Sequence, residues 1–185
     1  MAVTIAYVYG WRKGEVLGLE RRQVDLKAGT LRLDPGTTKN KEGRVVYLTQ
    51  EVSRLLGEQL ARVDALQKQL TKIVPYVFPH LEGQHRGRRI TGFRKAWTSA
   101  CKAAGVPGRL VHDLRRTAVR NMERNGVARS VATKMTGHKT ESVYRRYAIV
   151  SDSDLQEAAR KVGGGAFWGA FDHVSEKPVA EVAKI

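Results

Sequence analysis

Between residues 109 and 147 the chain reads RLVHDLRRTAVRNMERNGVARSVATKMTGHKTESVYRRY, and the reading of this stretch decides the fold. It is helical and basic. Asn125-Gly126 closes one helix and Thr136-Gly137 the next, because glycine accepts the left-handed conformation that ends a helix. From Arg109 to Arg146 there are ten basic side chains against three acids, Asp113, Glu123 and Glu141. The helices therefore present a surplus of positive charge.

Working outward, the segment from Gly83 to Cys101 also reads as helical, and carries Arg86, Arg88, Arg89, Arg94 and Lys95 with no acid. Cys101 falls in a helical apolar pattern with Phe93, Trp97, Ala100 and Ala104, the setting of a small core residue. Pro75 and Pro79 bracket a short apolar piece, Tyr76-Val77-Phe78. From Glu51 to Lys72 leucines and valines recur every three or four residues, which predicts a long amphipathic helix. Before it, Val24–Leu26, Thr30–Leu33 and Arg44–Leu48 alternate as strands, with a turn at Lys27-Ala28-Gly29 and a polar loop from Asp34 to Gly43. Residues 2–19 form a mostly apolar helix interrupted near Gly10. The expected architecture is α+β: one mostly helical domain over residues 1–162 with a small three-stranded antiparallel sheet. Gly163-Gly164-Gly165 then separates a tail, residues 163–185.

The 185 residues carry 33 Lys and Arg against 18 Asp and Glu, a formal charge of +15, while 42% of the chain is apolar. A globular protein with such an excess has a polyanionic partner as the first expectation. No apolar run approaches the ~20 residues of a spanning helix, and no signal peptide or lipidation box is present, which argues against a membrane partner. One cysteine excludes an internal disulfide framework. The expected compartment is a reducing cytoplasm.

Four short strings bear chemistry: Gly10-Trp11-Arg12-Lys13-Gly14-Glu15; Thr38-Lys39-Asn40-Lys41; His112-Asp113-Leu114-Arg115; and Gly137-His138, followed nine residues later by Tyr147. His112 and Arg115, three apart, share a helix face. An Arg fork suits two phosphate oxygens, and a His donates to a third or moves a proton. Each string alone also has an ordinary reading. His112 is then a helix N-terminus with Arg115 solvated, and His138 a surface residue on a turn. Tyr144 and Tyr147 become a packed aromatic pair, Arg12 an ion pair with Glu15 in an apolar helix end, and Lys39 and Lys41 solvated charges.

Together, in this order and spacing, the four strings resemble the catalytic boxes of the tyrosine recombinase (phage integrase) family. These are an Arg box, a β-hairpin Lys, a His-x-x-Arg box, and Gly-His with a Tyr nine residues on. Leu17-Gly18-Leu19 and Val77-Phe78-Pro79 match the flanks, and the similarity runs from about Ala6 to Val162. The resemblance implies a site-specific recombinase or integrase that cuts and rejoins double-stranded DNA through a 3′-phosphotyrosine. Tyr147 is the implied nucleophile, and Arg12 and Arg115 clamp the phosphate. His112 bonds the phosphate or takes the tyrosine proton, and His138 adds a phosphate hydrogen bond. Lys39, or alternatively Lys41, is the general acid, and Glu15 supports Arg12. Arg86, Arg88, Arg89, Arg94, Arg116 and Lys139 are expected along the DNA backbone. No metal and no cofactor is expected, since the Arg, Lys and His set supplies the positive charge.

The resemblance further implies a homo-oligomer on DNA, a tetramer, with DNA-bending accessory proteins as additional partners. The family's separate N-terminal DNA-binding domain is expected to be absent. The tail, with Phe167, Trp168, Phe171, Val179, Val182 and Ile185, either docks on a neighbouring protomer or packs on its own domain. Two other functions share the residues: a catalytically silent DNA-binding integrase remnant, and a type IB-like topoisomerase. Tyr144 stands next in line as nucleophile.

Overall fold

The computed structural model describes residues 1–36, 42–147, 150 and 152–163. Lys39, Lys41 and the tail beyond Gly163 lie outside the described residues. The chain divides into two compact units, Met1–Ala148 and Ile149–Ile185.

The first unit opens with α1 (Ala2–Tyr9), whose residues are apolar almost all round and bury Ile5, Ala6 and Tyr9. Gly10 stops it in the left-handed conformation, φ 67°, with its N–H on the Ala6 carbonyl. Absence of a side chain matters here twice. A Cβ on Gly10 would sit 3.1 Å from Thr136 Cγ2 and 3.2 Å from the Ala118 Cβ, so the break lets two later helices close on the backbone. Arg12 is extended and caps α2 (Lys13–Leu17). The expected interrupted helix is thus two helices, and Arg12 lies at the start of the second rather than inside an apolar end.

Three strands follow: β1 (Val24–Asp25), β2 (Thr30–Leu33) and β3 (Arg44–Tyr47), antiparallel in the order β1-β2-β3. The turn holds because Asp25 Oδ1 accepts the Ala28 N–H at 2.8 Å. Register pairs Leu31 with Val46 and Leu33 with Arg44. Leu31, Leu33 and Val46 are buried while Val45 and Tyr47 face outward. The two-residue period therefore puts Arg44 on the face of Val46.

Helix α3 (Gln50–Leu70) is capped by Thr49 Oγ1 and buries Val52, Leu56, Val63 and Leu66. Tyr9 staples the region: its hydroxyl donates to the Tyr47 carbonyl at 2.9 Å and accepts from the Thr49 N–H at 3.1 Å. Residues 75–92 correct the sequence reading. The part from Gly83 onward is looped up to α4 (Arg94–Ala103), because Gly83 and Gly87 take φ of 76° and 80° and the backbone folds back on itself. His80 N–H bonds the Arg88 carbonyl, and Ile90 N–H the Phe78 carbonyl. Cys101 is buried, as its pattern suggested.

Helices α5 (Asp113–Arg124), α6 (Arg129–Thr136) and α7 (Glu141–Arg145) complete the unit. Gly126 and Gly137 follow α5 and α6 in the left-handed conformation, where the sequence placed them. Two apolar clusters result. The larger joins α1, α2, the sheet, α3 and Phe78; the smaller joins Val119, Met122, Ala132 and Tyr144. Met135 touches both, and α1 packs on α5 between them. In the second unit, α8 (Asp152–Gly163) has acids in its first turn and bases in its last, which suits the helix dipole.

Gly137 is the most constrained of these glycines. Its φ is 69°, and an added Cβ would overlap the Arg44 guanidinium. Gly137→Ala is expected to destabilise the domain by more than about 1 kcal/mol. An unchanged urea midpoint would contradict the packing described.

Candidate active site

The seam between the clusters holds a buried cation. Arg115 projects inward from the first turn of α5, and only 2% of its surface is exposed. Three of its five N–H groups meet acceptors. Nη1 donates to the carbonyls of Gly10 (2.5 Å) and Thr136 (2.7 Å), both chain termini of helices. Nε donates to His138 Nε2 at 3.1 Å. Nη2 is buried without a hydrogen-bond partner among the described residues. Burial first, then the nearby Arg12, lowers the Arg115 pKa to about 10. The group stays charged at neutral pH.

Gly137 turns the chain so that His138 points back at α5. Its Nδ1 lies 2.7 Å from Thr136 Oγ1, and its ring meets Tyr144 edge-on at 5.5 Å and Tyr147 at 4.9 Å. Burial, reinforced by Arg115, Arg12 and Arg44, pushes the His138 pKa down to about 3, so the ring is neutral. Helix α7 explains the spacing of nine. It carries Tyr144 into the smaller core and leaves Tyr147 three residues on, half-buried, on the same side.

The Tyr147 hydroxyl is 3.0 Å from His112 Nε2, and the Arg115 Cζ lies 5.9 Å from its ring centre. Partial burial and then Arg115 lower the His112 pKa, which keeps that ring neutral and able to accept a proton. Tyr144 is different. It is fully buried, and burial, then Glu123, raise its phenol to about 12.

Glu15 anchors the other side. Its Oε2 accepts the Arg12 backbone N–H at 2.9 Å, and its Oε1 accepts Arg12 Nη1 at 2.9 Å and Arg44 Nη2 at 2.7 Å. Arg44 also donates to the Thr136 carbonyl at 2.5 Å, and its Cζ lies 5.7 Å from the Trp11 ring centre. The Trp11 indole in turn donates to the Met135 carbonyl at 2.9 Å. Two guanidinium groups, Arg12 and Arg44, thus share one carboxylate, with Arg115 near enough to feel its charge and both imidazoles neutral. Such a cluster favours an anion, and a phosphodiester carries the charge and acceptors it leaves unmatched.

Arg12, Glu15, His112, Arg115, His138 and Tyr147 are therefore brought together, from the starts of α2 and α5, the turn after α6 and the residues just past α7. The outlying basic residues are more scattered. Arg116 and Lys139 are exposed next to Arg115 and His138 in sequence, and Arg116 reaches Asp113 at 3.9 Å. Arg89 lies near Gly18 and stacks on Tyr76. Arg88 and Arg94 are exposed; Arg86 binds the Leu81 carbonyl and the Gln69 side chain of α3. Sequence reasoning missed Arg44 and Thr136. Arg44 was legible as a charge on the inward face of an alternating strand. Among the described residues no group of His, Cys, Asp or Glu is arranged to hold a metal, and no helix is long and apolar enough to cross a membrane.

Comparison with known proteins gives the family and the fold. The sequence model of the phage integrase family matches residues 1–154, and the chain belongs to that family. An integrase of Salmonella phage P22 is 28% identical over 169 residues, covering 86% of this chain and 41% of that protein. The chain thus spans under half the length of that curated relative. Crystal structures share the fold: XerA recombinase superposes with a TM-score of 0.64 at 21% identity, over 96% of this chain and 58% of that one. The catalytic domain of bacteriophage HP1 integrase gives 0.55 at 22% identity, over 90% and 82%. XerH recombinase bound to its palindromic difH substrate gives 0.64 at 20% identity, over 91% and 45%.

The neutral buried imidazole has a measurable consequence. His138 is depressed from 6.5 to about 3, so between these values the unfolded chain binds a proton that the folded chain refuses. Stability must fall as pH drops through this window, by up to about 1.4 kcal/mol per pH unit from this group. Urea unfolding of wild type and His138→Gln between pH 6.5 and 4 should show the steeper decline in wild type. Parallel curves would contradict the assignment.

Proposed function

We propose that this domain cuts and rejoins DNA strands by transesterification at Tyr147, as a site-specific recombinase or integrase. The observation that carries the proposal is the Tyr147 hydroxyl held against His112 Nε2, beside the unpartnered Nη2 of buried Arg115. In the reaction the phenol oxygen attacks phosphorus as its proton passes to His112. The bond from phosphorus to the 5′-oxygen breaks, giving a 3′-phosphotyrosine and a 5′-hydroxyl. That oxygen takes a proton from Lys39 or Lys41 of the β2–β3 loop. Arg115 Nη2 and Arg12 hold the non-bridging oxygens, whose negative charge grows in the transition state. The phosphotyrosine keeps the energy of the diester, so rejoining reverses these steps without ATP.

Duplex DNA as the partner is supported by the net charge of +15 and by the DNA-bound state of neighbours such as XerH with difH. Exchange between two duplexes by this chemistry requires four active sites, so the proposal includes a tetramer on DNA, assisted by DNA-bending proteins. Arg88, Arg89, Arg94, Arg116 and Lys139 are proposed contacts to the DNA backbone, with Arg86 on the α3 side. The cytoplasm, where DNA is accessible, is the proposed compartment.

Nicked duplexes of pooled sequence, radiolabelled and mixed with the chain at low salt, test the proposal. Wild type and Tyr144→Phe should yield a denaturation-resistant protein–DNA adduct, and Tyr147→Phe none. Arg115→Lys should reduce its rate by roughly 100-fold or more, because the fixed fork is lost. Salt-sensitive binding by wild type without any adduct would favour the silent remnant.

A further inference from the structure

The resemblance assigns His138 a direct hydrogen bond to the phosphate, but its surroundings commit both of its ring nitrogens elsewhere. Arg115 Nε is always a donor, so the His138 Nε2 it meets at 3.1 Å must offer a lone pair. The ring is neutral, so its one proton is on Nδ1. Nδ1 lies 2.7 Å from Thr136 Oγ1, which must then accept. The Thr136 hydroxyl proton is free to go to the Ala132 carbonyl at 2.7 Å. Along this path each donor has an acceptor, and it runs one way: Arg115 Nε to His138 to Thr136 to the turn of α6. All of these groups are buried, where an unmatched N–H or lone pair is costly.

We infer that Thr136 is a positioning residue of the active site. Its hydroxyl fixes His138 as the Nδ1–H tautomer, and the imidazole so held orients the Arg115 guanidinium toward the phosphate. His138 therefore acts through Arg115. With Nε spent on His138 and Nη1 on the Gly10 and Thr136 carbonyls, Nη2 is the part of the fork left to bind substrate. The Thr136 carbonyl takes part as well, since it also receives Arg44. One residue at the end of α6 thus sets two of the three guanidinium groups. The inference rests on the proposed strand-transfer reading for its catalytic consequence, and on the hydrogen bonds alone for the tautomer.

The test uses the full chain with 15N-labelled histidine, without DNA, the His138 signals being assigned with His138→Gln. Wild type should show Nδ1 protonated and hydrogen-bonded, with Nε2 unprotonated. Thr136→Ser should keep this pattern and the adduct rate. Thr136→Val, equal in shape but without the acceptor, should lose the hydrogen-bonded Nδ1–H signal. Its adduct rate should fall roughly 10- to 100-fold at unchanged DNA affinity. A wild-type ring protonated at Nε2 would overturn the inference whether or not Thr136→Val folds, as would an unchanged spectrum in Thr136→Val. If no protein forms an adduct, the strand-transfer reading fails, and the spectra still decide the tautomer.

Discussion

The buried guanidinium of Arg115 is the constraint on which the rest of the first unit depends. A cation removed from water costs several kcal/mol unless its N–H groups are met. Here two carbonyls and an imidazole meet three of the five, and Nη2 is left without a partner among the described residues. Both carbonyls are available because each belongs to a residue at a helix end, Gly10 after α1 and Thr136 closing α6, whose carbonyl has no partner within its own helix. Glycine ends each helix locally, and the shared bond to Arg115 Nη1 ties the two ends together.

Charge in the cluster is left deliberately unbalanced. Glu15 carries two guanidinium groups on one carboxylate, and neither His112 nor His138 adds charge at neutral pH. A second acid would quench the site and a charged imidazole would strain the fold. On the proposed reading the surplus meets the phosphate, next to a hydroxyl already bonded to a neutral imidazole. Arg44 ties this arrangement to the sheet, so the strand that follows the Lys39 loop is anchored to the residues that hold the clamp.

Much of this was legible in the sequence. The sheet, the long α3 and the glycine stops of α5 and α6 follow from local periodicity and turn chemistry, which act over a few residues. The four strings marked Arg12, Glu15, His112, Arg115, His138 and Tyr147, and the fold brings these six together. Residues 83–93 misled because a basic, acid-free run resembles a helix face, whereas Gly83 and Gly87 take left-handed conformations that break one. Arg44 escaped because its partners lie far along the chain, Glu15 at 29 residues and Thr136 at 92. Thr136 was nearer to hand, two residues before His138, but its role appears only once Arg115 Nε is known to occupy the other ring nitrogen.

On the proposed reading Arg115, fixed from behind by backbone carbonyls and His138, presents Nη2 to a phosphate beside Tyr147. A crystal structure of Tyr147→Phe with a short duplex tests it most directly. A backbone phosphate is expected within hydrogen-bond distance of Arg115 Nη2 and Arg12, next to the ring at position 147, with the Gly10, Thr136 and His138 contacts of Arg115 preserved. DNA bound along the basic surface with Arg115 still out of reach of every phosphate would contradict it.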